Sequence, residues 1–215
     1  MKIEAVIFDC DGTLVDSETL SNQVLVDFVA EFGLTLSLED AMSRFVGGTL
    51  VDCVAEIERR LGRALPEDFI AQFRVRQTAA FRGRLRPIDG ALSTVQRMRV
   101  PYCVASSGPR EKIELSLGLT GLLPYFHDRI FSSYEVGTWK PEPGLFLHAA
   151  ETLGVAPARC AVVEDSPPGI QAGLAAGMVV FAFQPLQSEG PTTAGVRVLR
   201  RLADLPDFTA GSEFE

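Results

Sequence analysis

Six short apolar runs, separated by segments of helical periodicity, constrain this chain more than any other feature. They are "AVIF" at 5–8, "YCVA" at 102–105, "RIFS" at 129–132, "CAVV" at 160–163, "MVVFAF" at 178–183 and "VRVL" at 196–199. Continuous apolar runs of this length suit strands buried on both faces. Amphipathic segments lie between them at 89–99, 110–118, 142–153 and 167–176. Strand and helix in alternation predict a parallel sheet flanked by helices. Ligands of such α/β folds gather at the carboxyl ends of the strands.

The interval 16–84 breaks that rhythm and reads as helix after helix, at 17–32, 38–45, 49–61 and 66–82, with Ser37 and Pro66 as start signals. A helical block inserted after the first strand predicts a second, smaller domain. Its hinges would be "VDSE" and "RGRLRPIDG", leaving 1–15 and 85–210 as the core. The last residues, "GSEFE" at 211–215, read as a cloning scar. With 215 residues, the chain can build one sizeable core plus such an insertion.

A net charge of −8 argues against a nucleic-acid or anionic-membrane partner, since both need clustered positive charge. A small phosphorylated metabolite, held by a few local donors, passes this test. Cys10, Cys53, Cys103 and Cys160 are scattered without metal-ligand spacing, as reduced structural cysteines would be. No signal-peptide pattern and no apolar run of 18 residues is present, so a soluble, cytoplasmic protein is expected. A monomer is also expected.

The chemistry-bearing residues follow the strands. The first run is followed by Asp9 and Asp11, then Gly12 and Thr13; the second by Ser106 and Ser107. A loop after the third carries Lys140 in "TWKPEPG", and the fourth ends in Glu164-Asp165-Ser166. Each has a plain structural reading: an Asp-Gly turn, a helix cap, a solvated lysine, an acidic helix start. Together they make a different case, because turn chemistry gives no reason for acid, hydroxyl, lysine and acid to recur at successive strand ends. Two like charges about 4 Å apart repel by roughly 4 kcal/mol at an effective dielectric near 20, so Asp9 and Asp11 need cationic company.

The combination resembles the haloacid dehalogenase superfamily, in its phosphatase branch. "DCDGT" is similar to the first family motif D-x-D-G-T, "VASSG" to the second, "WKPEP" to the third and "VVEDSPPGIQAG" to the fourth. The resemblance implies a Rossmann-like core with a helical C1 cap, which closes over the crevice and selects substrate. It also implies an aspartyl-phosphate on Asp9, with Asp11 as general acid and then base. Gly12, Thr13, Ser106, Ser107 and Lys140 would bind phosphate. Mg²⁺ would sit among Asp9, the backbone carbonyl of Asp11, Glu164 and Asp165, an all-oxygen set suited to that ion.

Asp11 favours phosphoester chemistry over dehalogenation, since halide removal needs no leaving-group acid. Ser21, Arg44, Gly47, Gly48 and Thr49 are candidate substrate-facing residues of the cap. Phosphosugar mutases of the β-phosphoglucomutase type carry a cap histidine and a basic clamp at these places, and this chain has neither. Hydrolysis of a sugar phosphate or phosphosugar acid, such as 6-phosphogluconate, is therefore expected. A mutase is the alternative, and a non-catalytic phosphometabolite-binding protein the alternative of another class. Trp139 reads as a packing residue, and His127 and His148 show no partner pattern.

Overall fold

The structure is a computed structural model that describes residues 2–45, 49–184 and 195–209. Gly47, Gly48 and the segment 211–215 lie outside the described residues. Contacts divide the chain into two compact units, Met1–Val15 with Pro87–Glu215, and Asp16–Arg86.

The first unit is built on a sheet whose strands occupy the apolar runs: β1 (Ala5–Phe8), β2 (Tyr102–Ser106), β3 (Ile130–Ser132), β4 (Cys160–Glu164), β5 (Val179–Phe183) and β6 (Val196–Leu199). Their order is β3-β2-β1-β4-β5-β6, and every pairing is parallel. All four residues of β1 and all five of β4 are buried, as their uninterrupted apolar character requires. The chain steps outward from β1 through β2 and β3, then crosses to the other side of β1 for β4. That reversal places the topological switch at β1, and a crevice forms outside the strand ends at such a point.

Register brings the strand ends level. Phe8 pairs with Val104 on one side and with Val163 on the other. Asp9, next along, donates its backbone N–H to the Val163 carbonyl at 2.9 Å. Ala105 and Glu164 therefore flank Asp9, with Ser106 one residue further.

Parallel strands need long crossovers, and the connections supply helices. In this unit they are α5 (Ala91–Arg97), α6 (Arg110–Leu119), α7 (Leu123–Phe126), α8 (Ser133–Val136), α9 (Gly144–Leu153), α10 (Pro167–Ala175) and α11 (Leu205–Thr209). Leu145, Phe146, Ala149 and Ala150 of α9 and Ala172 of α10 pack on Ile7, Cys103 and Val162 of the sheet. Each fully buried large side chain contributes about 1.5–3 kcal/mol to such a core. The short α7, α8 and α11 have no counterpart in the sequence pattern.

The second unit holds α1 (Glu18–Ala30), α2 (Leu38–Phe45), α3 (Leu50–Leu61) and α4 (Phe69–Arg84). Its core includes Leu25, Phe28, Val29, Ile57, Phe69 and Phe73. Phe28 stacks on Phe69 with centroids 4.6 Å apart, and the Arg76 guanidinium lies 4.1 Å above the Phe28 ring. Arg76 also grips Glu31 with two hydrogen bonds of 2.6 and 3.0 Å. The Ser37 hydroxyl accepts the Asp40 N–H ahead of α2, as its start signal implies. After Pro66 the chain first makes a turn, with Phe69 N–H on the Pro66 carbonyl, so α4 begins at Phe69.

All four cysteines are buried and free, and burial raises each thiol pKa, to about 11 for Cys53 and Cys160. Trp139 departs from the packing role expected of it. It is 39% exposed and meets Tyr134 edge to face at 5.7 Å, because its loop runs along the surface while its neighbour Lys140 turns inward. No helix among the described residues is long and apolar enough to cross a membrane.

Candidate active site

Asp9 directly follows the central strand β1, and its side chain is 8% exposed. Burial pushes its carboxyl up to about 7; Lys140 pulls it down, while Glu164 and Asp11 add to the rise. A carboxylate so placed is poorly hydrated.

Lys140 answers the charge. It comes from the loop between α8 and α9, and its side chain is only 5% exposed. Its ammonium donates to Asp9 Oδ1 and, at 2.6 Å, to Glu164 Oε1, and lies 5.0 Å from the Phe146 ring centroid. Burial works against the charge on Lys140, but the two carboxylates outweigh it and hold the pKa above the ordinary lysine value.

Glu164, expected among the metal ligands, has both carboxylate oxygens hydrogen-bonded to protein groups. One oxygen accepts from Lys140, and the other accepts from Ser166 N–H at 2.7 Å and Ser166 Oγ at 2.9 Å. At 1% side-chain exposure and with both oxygens engaged, it anchors the lysine. The Ser166 hydroxyl in turn accepts from Gly169 N–H at the start of α10. The carboxylate thus also profits from a helix N-terminus.

Asp11 turns the other way. Its Oδ2 accepts from the Lys112 ammonium at 2.8 Å, and both side chains are about one-quarter exposed. Burial opposes the charge on Lys112, yet Asp11 more than restores it and raises the pKa. Asp9 and Asp11 are thus served by two lysines more than a hundred residues downstream, Lys140 from a loop and Lys112 from the first turn of α6. Lys112 was missed from sequence. Its one signal was a lysine in the first turn of a helix, where the backbone N–H groups disfavour a cation.

Gly12 takes a left-handed conformation with φ of +77°, and a Cβ there would lie 2.1 Å from Asp165 Oδ2. The turn after Asp11 therefore closes directly onto Asp165. Thr13 is fully buried, and its hydroxyl donates to Asp165 Oδ1 at 2.8 Å, which orients that carboxylate. Ser106 is buried at the end of β2, its Oγ accepting from Gly108 N–H at 3.1 Å. Ser107 is half-buried in the same loop.

Asp9 and Asp165, with the backbone carbonyl of Asp11, offer oxygen donors only, and these are the groups that could hold a cation. Among the described residues, no three His, Cys, Asp or Glu side chains form a ready-made cage. Two carboxylates and a carbonyl suit Mg²⁺, which keeps several waters and shares its shell with substrate phosphate. Zinc would instead call for nitrogen or sulfur.

In the helical unit, Ser21 Oγ accepts from Gln77 Nε2 at 2.9 Å. Arg44 is exposed and pairs with Asp40 at 2.7 Å. Thr49 caps α3, accepting from Asp52 N–H at 3.1 Å. Each of these three has a local partner within its own unit.

Comparison with known proteins gives the family. Residues 3–177 match the haloacid dehalogenase-like hydrolase family. The chain is 39% identical over 183 residues to 6-phosphogluconate phosphatase of Escherichia coli strain K12, covering 85% of this chain and 83% of that one. It superposes on a haloacid dehalogenase-like protein of unknown function from Agrobacterium tumefaciens strain C58 with a TM-score of 0.83 and 33% identity, over 97% and 98% of the two chains. A haloacid dehalogenase-family hydrolase of Deinococcus radiodurans R1, crystallised with bound phosphate and sodium, gives a TM-score of 0.77 and 34% identity over 94% and 93%. The chain belongs to the haloacid dehalogenase-like hydrolase family, and it stands among that family's phosphatases.

Proposed function

We propose that this hydrolase is a Mg²⁺-dependent phosphatase acting on a small sugar phosphate or phosphosugar acid through an aspartyl-phosphate on Asp9. One observation carries the reading. The buried Lys140 ammonium bridges Asp9 and Glu164, holding a nucleophilic carboxylate at the strand end beside Ser106. Support for the substrate class comes from the E. coli relative, named for 6-phosphogluconate. Support for a joint anion and cation site comes from the D. radiodurans structure, with its phosphate and sodium.

In the first half-reaction an Asp9 oxygen attacks phosphorus as the bond to the ester oxygen breaks. The departing alkoxide takes a proton from Asp11. In the second, water attacks the aspartyl-phosphate and gives its proton to the Asp11 carboxylate, releasing phosphate and restoring Asp9. Lys140 stabilises negative charge on Asp9 and on the phosphoryl oxygens. Ser106 Oγ and the N–H groups of the Gly12 turn face the phosphate. Asp9, Asp165 and the Asp11 carbonyl would hold Mg²⁺, with Thr13 orienting Asp165 and Glu164 anchoring Lys140. When bound, the ion neutralises phosphoryl charge and favours ionised Asp9.

The test is phosphate release from a panel of sugar phosphates, 6-phosphogluconate, phosphoglycolate, nucleotides and p-nitrophenyl phosphate, with Mg²⁺ and with EDTA. The highest kcat/KM is expected on a phosphosugar or phosphosugar acid, with EDTA abolishing turnover and Asp9→Asn doing the same. A folded enzyme that releases no phosphate from any of them in Mg²⁺ would end the proposal.

A further inference from the structure

The sequence motifs account for Asp9, Asp11, Ser106, Lys140 and the acidic pair, but not for Lys112. This lysine stands third in α6, a helix whose N-terminus discourages positive charge. It has a long flexible stem and could reach solvent, yet only 24% of the side chain is exposed, and it spans from β2's crossover back to the β1 loop.

Three groups converge here. A Cβ placed on Gly108 would lie 3.4 Å from Ser106 Oγ, 3.6 Å from Lys112 Cδ and 3.8 Å from Asp11 Oδ2. The stem of Lys112 therefore lines the same small volume as the phosphate-side hydroxyl and the Asp11 carboxylate. Its ammonium meets Asp11 Oδ2, not Asp9, which already belongs to Lys140. Lys140 holds Asp9 together with Glu164, and Lys112 holds Asp11, so the two carboxylates after β1 have different ammonium partners.

We infer that Lys112 is the positioning residue for Asp11, fixing its carboxylate toward the ester oxygen of the substrate. The inference rests on the acid–base role given to Asp11 above. A carboxylate on a loop has several rotamers of similar energy, and a proton transfer needs heavy atoms at hydrogen-bond distance in one of them. Misplacement by about 1 Å can cost on the order of 10²-fold in rate.

Lys112→Met keeps the stem and removes the ammonium; Lys112→Gln is a second variant with the same expectation. Both are compared with wild type on 6-phosphogluconate, whose alkoxide leaving group needs a proton, and on p-nitrophenyl phosphate, whose phenolate needs little. We expect kcat/KM on 6-phosphogluconate to fall about 10²-fold, and the fall on p-nitrophenyl phosphate to be at least tenfold smaller. KM for 6-phosphogluconate should move less than threefold. In an Asp11→Asn background, Lys112→Met should cost no more than about threefold further, because the group it positions is gone.

Equal losses on both esters, or full additivity with Asp11→Asn, would overturn the inference. So would a loss confined to KM, which would make Lys112 a substrate-binding residue. Asp11→Asn alone tests the underlying reading separately. If it leaves the ratio of the two esters unchanged, the acid–base role of Asp11 fails; if it shifts the ratio and Lys112→Met does not, only the positioning role fails.

Discussion

Replacing Lys140 by Met tests how the site tolerates its carboxylates. Methionine keeps an unbranched stem against Phe146 and deletes the ammonium shared by Asp9 and Glu164. At 2.6 Å and an effective dielectric near 20, the attraction to Glu164 alone is about 6 kcal/mol before desolvation is subtracted. Removing one partner of a buried pair leaves an uncompensated charge and costs about 3–5 kcal/mol net. For a protein of this size that is a fall in Tm of roughly 6–20 °C at neutral pH.

The pH dependence identifies the cause. Lys140 has a folded pKa above its ordinary value, so its stabilisation is fully present below about 10.5 and stays constant between pH 5 and 8 in the wild type. In the variant Asp9 loses the group that pulls its pKa down, so the pKa rises above about 7. A carboxyl raised in the folded state contributes most below its unfolded pKa and loses that contribution as pH rises through the folded value. The Tm gap between wild type and Lys140→Met should therefore be wide at pH 8 and narrow at pH 5. Calorimetric scans of both EDTA-treated proteins measure it. A gap under about 2 °C at pH 8, or one of equal width at both pH values, would refute the electrostatic account of this site.

Further outcomes are expected at neighbouring positions. Gly12→Ala forces a side chain into a left-handed turn and against Asp165, and should lower stability by about 1–3 kcal/mol and abolish Mg²⁺-dependent turnover, checked by denaturant melts and phosphate release. Thr13→Val removes the hydroxyl that orients Asp165 and should raise the Mg²⁺ concentration for half-maximal activity about 10–100-fold. The four buried, protonated thiols should react with a disulfide reagent at pH 8 far more slowly in the native protein than in guanidinium.

Much of the sheet was legible because each strand is a run of buried apolar residues, a signal carried by neighbours in sequence. The eight longer helices were legible from their 3.6-residue period. The one-turn helices Leu123–Phe126 and Ser133–Val136 were not, since four residues hold no period to read. Nor was the strand order, which depends on how crossovers pack rather than on any one segment.

At the candidate site the same division holds. The residue types at the strand ends, Asp9, Asp11, Ser106, Lys140, Glu164 and Asp165, stood out in the chain through their combination, since each alone has a plain structural reading. Their allocation did not. That Lys140 reaches Glu164 as well as Asp9, that Ser166 holds the other oxygen of Glu164, and that Lys112 holds Asp11 are relations of packing, the first two lysine contacts linking residues 131 and 24 positions apart and the last 101. Local sequence carries which groups are present, because backbone periodicity and side-chain chemistry are local properties. Only tertiary packing decides which charge faces which, because pairing follows distance in space.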